Sequence, residues 1–288
     1  MRSLKLYFVM TVDVDPPIPS NPNPDIVKDG VAALLKLFEK YAIKATFFVP
    51  AVVAIGGAVV LDGIVKQGHE IACHGLEHNE TEATLGIVEQ LRIIKTATEI
   101  IQSATGVRPA GFRAPLFRVN ESCWIALQKN DYVYDSSIVC SPFYGGHKIF
   151  FPSKPFCLPI RKANGNCSLL EIPVSANPFL PFPLGGAYLR VFGSRWSKVG
   201  VRINFLCRNP VVFHIHPKDV DPRTRGRPRV GHSWLSRRNT GNCIKMLEGI
   251  IKYAKRSGAK FITAYELARL SMAEFLNNNV DCDNQPNL

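Results

Sequence analysis

Short apolar segments alternate with amphipathic helical patterns along almost the whole chain, and that alternation restricts the fold more than any other feature. The first apolar run covers Leu4, Leu6, Phe8, Val9 and Met10 and continues through Val12 and Val14. Prolines 16, 17, 19, 22 and 24 end it, and a helix is expected from about Asp25, with Val31, Leu34, Leu35 and Phe38 on one stripe. Strands are expected at 44–49, 70–74, 110–114, 132–138, 169–174, 210–216 and 260–263. Helical patterns fall between them: around 60–67, a long one from Thr81 to Thr105, one capped by Asn120, one over 239–257, and a last one to about Leu276. Repeated βα units require a parallel sheet, and this many point to a barrel rather than an open sheet. The expected architecture is an α/β fold, a distorted (β/α) barrel with fewer than eight full βα units. No repeat or linker divides it, so residues 1–276 are read as one catalytic domain and 277–288 as a polar, disordered tail.

The apolar stretch 45–61 contains no charge, but Pro50 and Gly56-Gly57 interrupt it. It is read as a buried strand, a loop over Pro50–Ala58 and the start of a helix. No transmembrane helix or signal peptide is recognised, which gives an expected cytoplasmic location, at most at the inner face of the membrane. The 8 cysteines show no C-x-x-C spacing and are read as scattered reduced thiols. A net charge of +12 favours anionic partners. The densest basic stretch, residues 217–238, carries seven Lys/Arg. It is expected to be a solvated loop, or else a substrate or peripheral membrane contact.

The expected strand ends carry the chemistry. Asp13 and Asp15 are two apart in "TVDVD" and project from one face, so their repulsion needs a metal, an arginine or the open end of the sheet. "EIACHGLEH" supplies His74 and His78, "GFRAP" supplies Arg113 and Pro115, "YDSS" supplies Asp135, and "FHIHP" supplies His214 and His216. A parallel barrel gathers all of these at one mouth. Asp15, His74 and His78 would form a two-histidine, one-carboxylate site that suits Zn²⁺, with Co²⁺, Ni²⁺ or Fe²⁺ as alternatives. Cys73 should face the other way, and His69 should brace its loop. "HGLEH" also matches H-x-x-E-H, a protease pattern that needs a continuous helix, which Gly68 and Gly75 oppose.

The ordered series "TVDVD", "HGLEH", "GFRAP", "YDSSI", "VFHIHP", framed by "KATFFV" and "GHEIACHG", resembles the NodB-type polysaccharide deacetylases, carbohydrate esterase family four. The later "EIPVS", "LGGAYLRVF" and "FHIHPKDVDP" are similar to the branch found near exopolysaccharide loci. The resemblance spans roughly residues 5–270. It implies metal-dependent removal of N-acetyl groups from a polysaccharide or glycan precursor. It implies Asp15, His74 and His78 as metal ligands, Asp13 as general base and His216 as general acid. Arg113 would hold Asp13 ionised, Asp135 would pair with His216, and the backbone N–H of Leu116, after Pro115, would help hold the oxyanion. The sequence departs from the family pattern in four places. Val14 separates the aspartates, Leu116 stands where Tyr is commoner, no Trp follows "YDSSI", and His214 competes with His216. The partner implied is an N-acetylated carbohydrate, lipid-linked or anionic, and no nucleic acid. Two further readings are a deformylase or deacylase of a lipid-linked amino sugar or other small amide on the same site, and a non-catalytic basic binding protein.

Overall fold

The computed structural model describes residues 5–17, 23–141, 153–158, 160, 168–224 and 240–277. The alternation becomes a sheet of nine strands among these residues: β1 (Tyr7–Asp13), β2 (Thr46–Val49), β3 (Glu70–Cys73), β4 (Gly111–Phe112), β5 (Tyr134–Asp135), β6 (Phe156–Cys157), β7 (Leu170–Glu171), β8 (Val211–Ile215) and β9 (Lys260–Ile262). The order is β6-β7-β5-β4-β3-β2-β1-β8, with β9 also on β1. Every pairing is parallel except β6 with β7. Parallel strands share one C-terminal side, so Asp13, His74, Arg113, Asp135 and His216 all emerge at the same mouth.

The expected distorted barrel is present, and extended segments close it in place of further βα units. Val174 N–H donates to Ile138 O (2.8 Å), and Ser175 N–H donates to Val212 O (3.1 Å). The chain then turns back, so that Leu184 N–H bonds Ser175 O and Gly185 bridges His214. Strands β4, β5 and β7 are only two residues long; just beyond them Arg113 N–H still bonds Cys73 O and Ser136 N–H still bonds Phe112 O, while their side chains build a polar centre at the mouth.

The helices are α1 (Asp25–Lys40), α2 (Ala51–Gly56), α3 (Ala58–Lys66), α4 (Ile87–Thr105), α5 (Glu121–Lys129), α6 (Gly186–Leu206), α7 (Pro217–Val220), α8 (Cys243–Arg256) and α9 (Ala264–Asn277). The predicted stripe Val31, Leu34, Leu35 and Phe38 is buried on α1. The Asn120 side chain accepts from Cys123 N–H at 2.8 Å, the predicted cap. Phe8, Phe47, Phe213 and Leu34 are fully buried in the core on the helix side of the sheet.

Three local expectations need correction. The stretch after Pro50 is helical (α2) rather than a loop: Pro50 is its extended N-cap, and Ala51 and Ala54 bury one face. The helix expected from Thr81 begins only at Ile87. A 3₁₀ turn, Glu80–Thr84, precedes it, and extended Gly86 separates the two. Cys73, Cys123, Cys140, Cys207 and Cys243 carry thiols, but Cys157 is disulfide-bonded, to a partner outside the described residues, so the wholly reduced reading fails there. No helix among the described residues is long and apolar enough to cross a membrane. The tail from 278 and residues 225–239 of the basic stretch lie outside the described residues. The two cations of that stretch that are described are both paired: exposed Arg223 binds Asp221 and Asp29 at the surface, and Lys218 binds buried Asp15.

Candidate functional site

Val14 N–H donates to Phe48 O beyond the end of β1, so the strand's alternation continues and puts Asp13 and Asp15 on one face. Both carboxylates are buried. Each meets a different cation. Arg113 Nη1 donates to Asp13 Oδ1 at 2.6 Å, and Lys218 Nζ donates to Asp15 Oδ2 at 2.5 Å. Burial pushes the Asp13 carboxyl up, but Arg113 and three nearby imidazoles outweigh it and hold the pKa below the usual range. At Asp15 burial is outweighed by Lys218, His216, His74 and His78, and the carboxyl is held well below that range.

Arg113 is fully buried and ties four strands together. Its Nε donates to Ser136 O (3.0 Å), its Nη2 to Ser136 Oγ (2.8 Å) and its Nη1 also to Thr11 Oγ1 (2.9 Å). Ser136 Oγ in turn donates to Ile172 O (2.7 Å). The guanidinium lies 4.1 Å from the Phe48 ring centroid and 5.3 Å from that of Phe117. Breaking such a buried, fully bonded pair costs about 3–5 kcal/mol.

His74 continues β3 by one residue, and its Nδ1 contacts Arg113 O at 2.7 Å. A carbonyl can only accept, so Nδ1 carries the proton and Nε2 presents a lone pair. That Nε2 lies 3.6 Å from Asp15 Oδ1, and His78 Nε2 lies 3.0 Å from the same oxygen. Asp15 Oδ1 is buried and has no hydrogen-bond donor. Three ligand atoms from Asp15, His74 and His78 thus converge within 4.8 Å of one another. Two imidazole nitrogens and an orphaned carboxylate oxygen fit a divalent transition metal, and a site of three protein ligands leaves coordination positions for water and substrate.

The loop 74–79 is held by a residue that sequence reading missed. The buried Glu82 carboxylate accepts from Leu76 N–H (3.0 Å), Glu77 N–H (2.9 Å) and Asn79 N–H (3.3 Å). Asn79 returns a cap to Glu82 N–H (3.1 Å), so "NETE" is a capping box, legible as Asn followed three residues later by Glu. Gly75 has φ +81°, and a Cβ there would meet Glu82 Oε2 at 2.4 Å. His78 itself sits at φ +61°. Residues 74–78 are therefore not helical, which removes the H-x-x-E-H reading. Cys73 points into the core, where burial pushes its thiol up to about 12, and His69 Nδ1 accepts from Ala45 N–H at 3.1 Å, bracing its loop as expected.

Asp135 does not reach His216. Its Oδ2 accepts from Trp124 Nε1 (2.8 Å), and its Oδ1 accepts from Ser137 Oγ (2.5 Å) and Ser136 N–H (2.8 Å). The tryptophan missing after "YDSSI" is supplied from α5. Asp135 also faces Glu171 across the β5–β7 register. Burial pushes Asp135 up to about 6, and burial together with Asp135 pushes Glu171 well above its usual range.

The carboxylate beside His216 is Asp219. Pro217 starts α7, and three residues on from His216 the Asp219 Oδ2 accepts from His216 N–H (3.0 Å) and faces His216 Nδ1 (3.2 Å). Arg190 Nη2 holds the other Asp219 oxygen at 2.7 Å. Asp219 thus sits at the third position of α7 and returns its carboxylate to the His216 backbone. His216 Nε2 lies 3.5 Å from Asp15 Oδ2. Burial and Lys218 push this imidazole down, Asp15 and Asp219 outweigh them, and its pKa is raised. His214 differs. It is buried against Phe117, its Nδ1 has no partner, and burial pushes it down to about 4. A Cβ on Gly185 would meet the His214 ring at 2.2 Å, so this imidazole is packed in place.

Pro115 and Leu116 form a tight turn at the rim. Leu116 is 44% exposed with φ +56°, and its N–H donates to no acceptor among the described residues. A Cβ on Gly75 would lie 2.9 Å from Pro115 Cγ, so this turn abuts the histidine loop.

A family model described as polysaccharide deacetylase matches residues 6–134, and one described as a domain of unknown function (DUF3473) matches residues 136–266. The chain is similar to the peptidoglycan deacetylase-like protein FGM2 of Gibberella zeae, 34% identical over 111 residues, which are 38% of this chain and 32% of that protein. It is also similar to the peptidoglycan deacetylase of Helicobacter pylori, 32% identical over 114 residues, 40% of this chain and 39% of that protein. The matched part thus spans well under half the length of either relative. In fold the chain is similar to a Mycobacterium smegmatis protein assigned to the polysaccharide deacetylases (TM-score 0.67, 20% identity, covering 95% of this chain and 93% of that one). The PuuE allantoinase is another such structure (TM-score 0.64, 18% identity, covering 93% and 90%). The similar structures bear out the expected barrel, and the deacetylase family model covers residues 6–134 of the chain.

Proposed function

We propose, from the polysaccharide deacetylase domain that residues 6–134 match, that the chain is a hydrolase removing the N-acetyl group from an amino-sugar unit of a glycan. Its one divalent ion, zinc first, is held by Asp15, His74 and His78. The observation that carries this reading is the convergence of His74 Nε2 and His78 Nε2 on the buried, donor-free Asp15 Oδ1. Both matched halves contribute to the mouth, and we treat residues 1–276 as one catalytic unit.

The ion, when bound, supplies Lewis acidity toward the acetyl carbonyl and a water of lowered pKa. Asp13 is the general base. Arg113 keeps it ionised, and Thr11 and Ser136 fix the guanidinium so that the carboxylate cannot turn away. His216 is the general acid, and it protonates the departing amine from Nε2. Asp219 takes the role first given to Asp135: it orients the ring through Nδ1 and favours the protonated form. Asp135 instead braces the wall behind Arg113 through Trp124, Ser136 and Ser137. The unengaged Leu116 N–H is the oxyanion donor. The substrate class is an N-acetylated glycan, and the net charge of +12 favours an anionic or lipid-phosphate-linked one of the exopolysaccharide type.

Metal content tests the site. Purified wild type reconstituted with zinc and freed of excess should carry about one ion per chain, and folded Asp15→Ala should lose most of it. Equal metal in both proteins would place the ion elsewhere and remove the proposed mechanism.

A further inference from the structure

The two oxygens of Asp15 are used differently. Oδ1 faces the imidazoles, 3.0 Å from His78 Nε2 and 3.6 Å from His74 Nε2, and accepts no hydrogen bond. Oδ2 is taken by the Lys218 ammonium at 2.5 Å, with His216 Nε2 at 3.5 Å. Lys218 therefore does not sit where the ion would. It donates no hydrogen bond to His74 or His78 among the described residues, and it lies on the far oxygen.

Its placement is built into the fold. Lys218 belongs to α7, which Pro217 starts directly after His216. The Lys218 carbonyl accepts from Thr224 Oγ1 at 2.6 Å, and a Cβ on Gly30 of α1 would meet Pro217 O at 2.4 Å, so the turn is wedged against α1. The lysine side chain is 35% exposed, which puts its stem at the mouth and its ammonium on the carboxylate.

The charges explain what this does. Each carboxylate of the site already has a full cation: Asp13 has Arg113, Asp219 has Arg190, and Asp15 has Lys218. The other two metal donors are imidazoles. Without Lys218, Asp15 would offer the ion a whole negative charge and two oxygens. With it, the carboxylate offers one oxygen, and its charge is largely spent.

We infer that Lys218 is a positioning residue that reserves Asp15 Oδ2, restricts the carboxylate to one donor atom toward the metal, and lowers the affinity of the site for divalent ions. This rests on the metal site proposed above. Removing a unit charge a few ångströms from a divalent ion is worth about tenfold or more in affinity even at a water-like dielectric.

The test compares the whole chain as wild type, Lys218→Met and Lys218→Arg. Each is stripped with chelator and titrated with Co²⁺ and Zn²⁺ against a chromophoric competitor, with thermal melting to confirm that it is folded. Lys218→Met should bind both ions about tenfold tighter. Its cobalt absorption should weaken as Asp15 adds a second oxygen and the coordination number rises. Lys218→Arg should stay near wild type. Wild-type affinity in the Met variant, or weaker binding, overturns the inference while leaving the metal site standing. If an unfolded Met variant prevents the comparison, Lys218→Gln replaces it with the same expected direction. No uptake by any of the proteins, wild type included, overturns both this inference and the metal site beneath it.

Discussion

Two histidines one strand step apart, His214 and His216, show how environment divides residues that sequence alone treats as equals. His214 is packed against Phe117 and Gly185 and pushed down to about 4 by burial, so it is neutral at physiological pH. His216 stands at the strand end with Asp219 on one nitrogen and the mouth on the other. His216→Asn should lower kcat by about 10²- to 10⁴-fold with bound metal unchanged. His214→Asn should leave kcat within about tenfold of wild type and act on stability instead. A turnover assay paired with metal analysis checks both, and the reverse ranking would move the acid to His214. The choice of His216 was legible because Pro217 ends the strand beside it. Its partner was not. Asp135 was assigned by the order of motifs, whereas Asp219 lies three residues away in a helical turn that Pro217 starts. Two carboxylates on one buried face say only that something must compensate them, and the pairing of Arg113 with Asp13 came from the family resemblance. Lys218 went unassigned because a lysine in a basic, proline-rich stretch looks like solvent-facing charge.

At the level of elements, the loop 74–79 is the least regular part of the site and the most constrained. Its N–H groups converge on Glu82, and that demand breaks the helix that periodicity extends back to Thr81. Apolar spacing reports which face of a helix is buried, but not that a carboxylate within it is needed elsewhere. Glu82→Gln turns acceptor capacity into a donor facing three donors. It should weaken zinc binding about 10- to 100-fold, the scale on which outer supports of metal ligands act. Unchanged affinity would show that His78 holds its left-handed conformation unaided. The brace at His69 makes a pH prediction. Its Nδ1 must stay unprotonated to accept from Ala45 N–H, and burial pushes the imidazole from 6.5 down to about 4. Between those values the unfolded chain binds more protons than the folded one, so stability rises with pH in that window and is lost on acidification through it. His69→Asn, whose Oδ1 can accept at any pH, should show a shallower slope of unfolding free energy between pH 4 and 6.5 by up to about one proton. Equal slopes would mean that His69 titrates normally.

For the whole molecule, the parallel sheet assembles the site from segments far apart in sequence. The half matched as polysaccharide deacetylase brings Asp13, Asp15, His74, His78 and Arg113. The half matched as a domain of unknown function brings His216, Lys218 and Asp219, so the proposed proton donor and its supports belong to that half. The barrel was legible because βα alternation leaves few other solutions, and parallel pairing puts the C-terminal ends of every strand but β6 on one side. Its closure was not. The two-residue strands and the extended residues 174–176 and 183–185 have no periodicity, and they depend on contacts with Ile138, Val212 and His214 that exist only once the sheet is formed. The central claim is that this mouth removes acetyl groups from amino sugars by means of its metal. The most direct measurement is acetate release from N-acetylglucosamine oligomers by chelator-stripped protein as zinc is added back. The account predicts no release from stripped protein and a rise that saturates near one zinc per chain, absent in Asp13→Asn. Release that persists in excess chelator, or none from the zinc-loaded protein with any N-acetylated glycan, would contradict it.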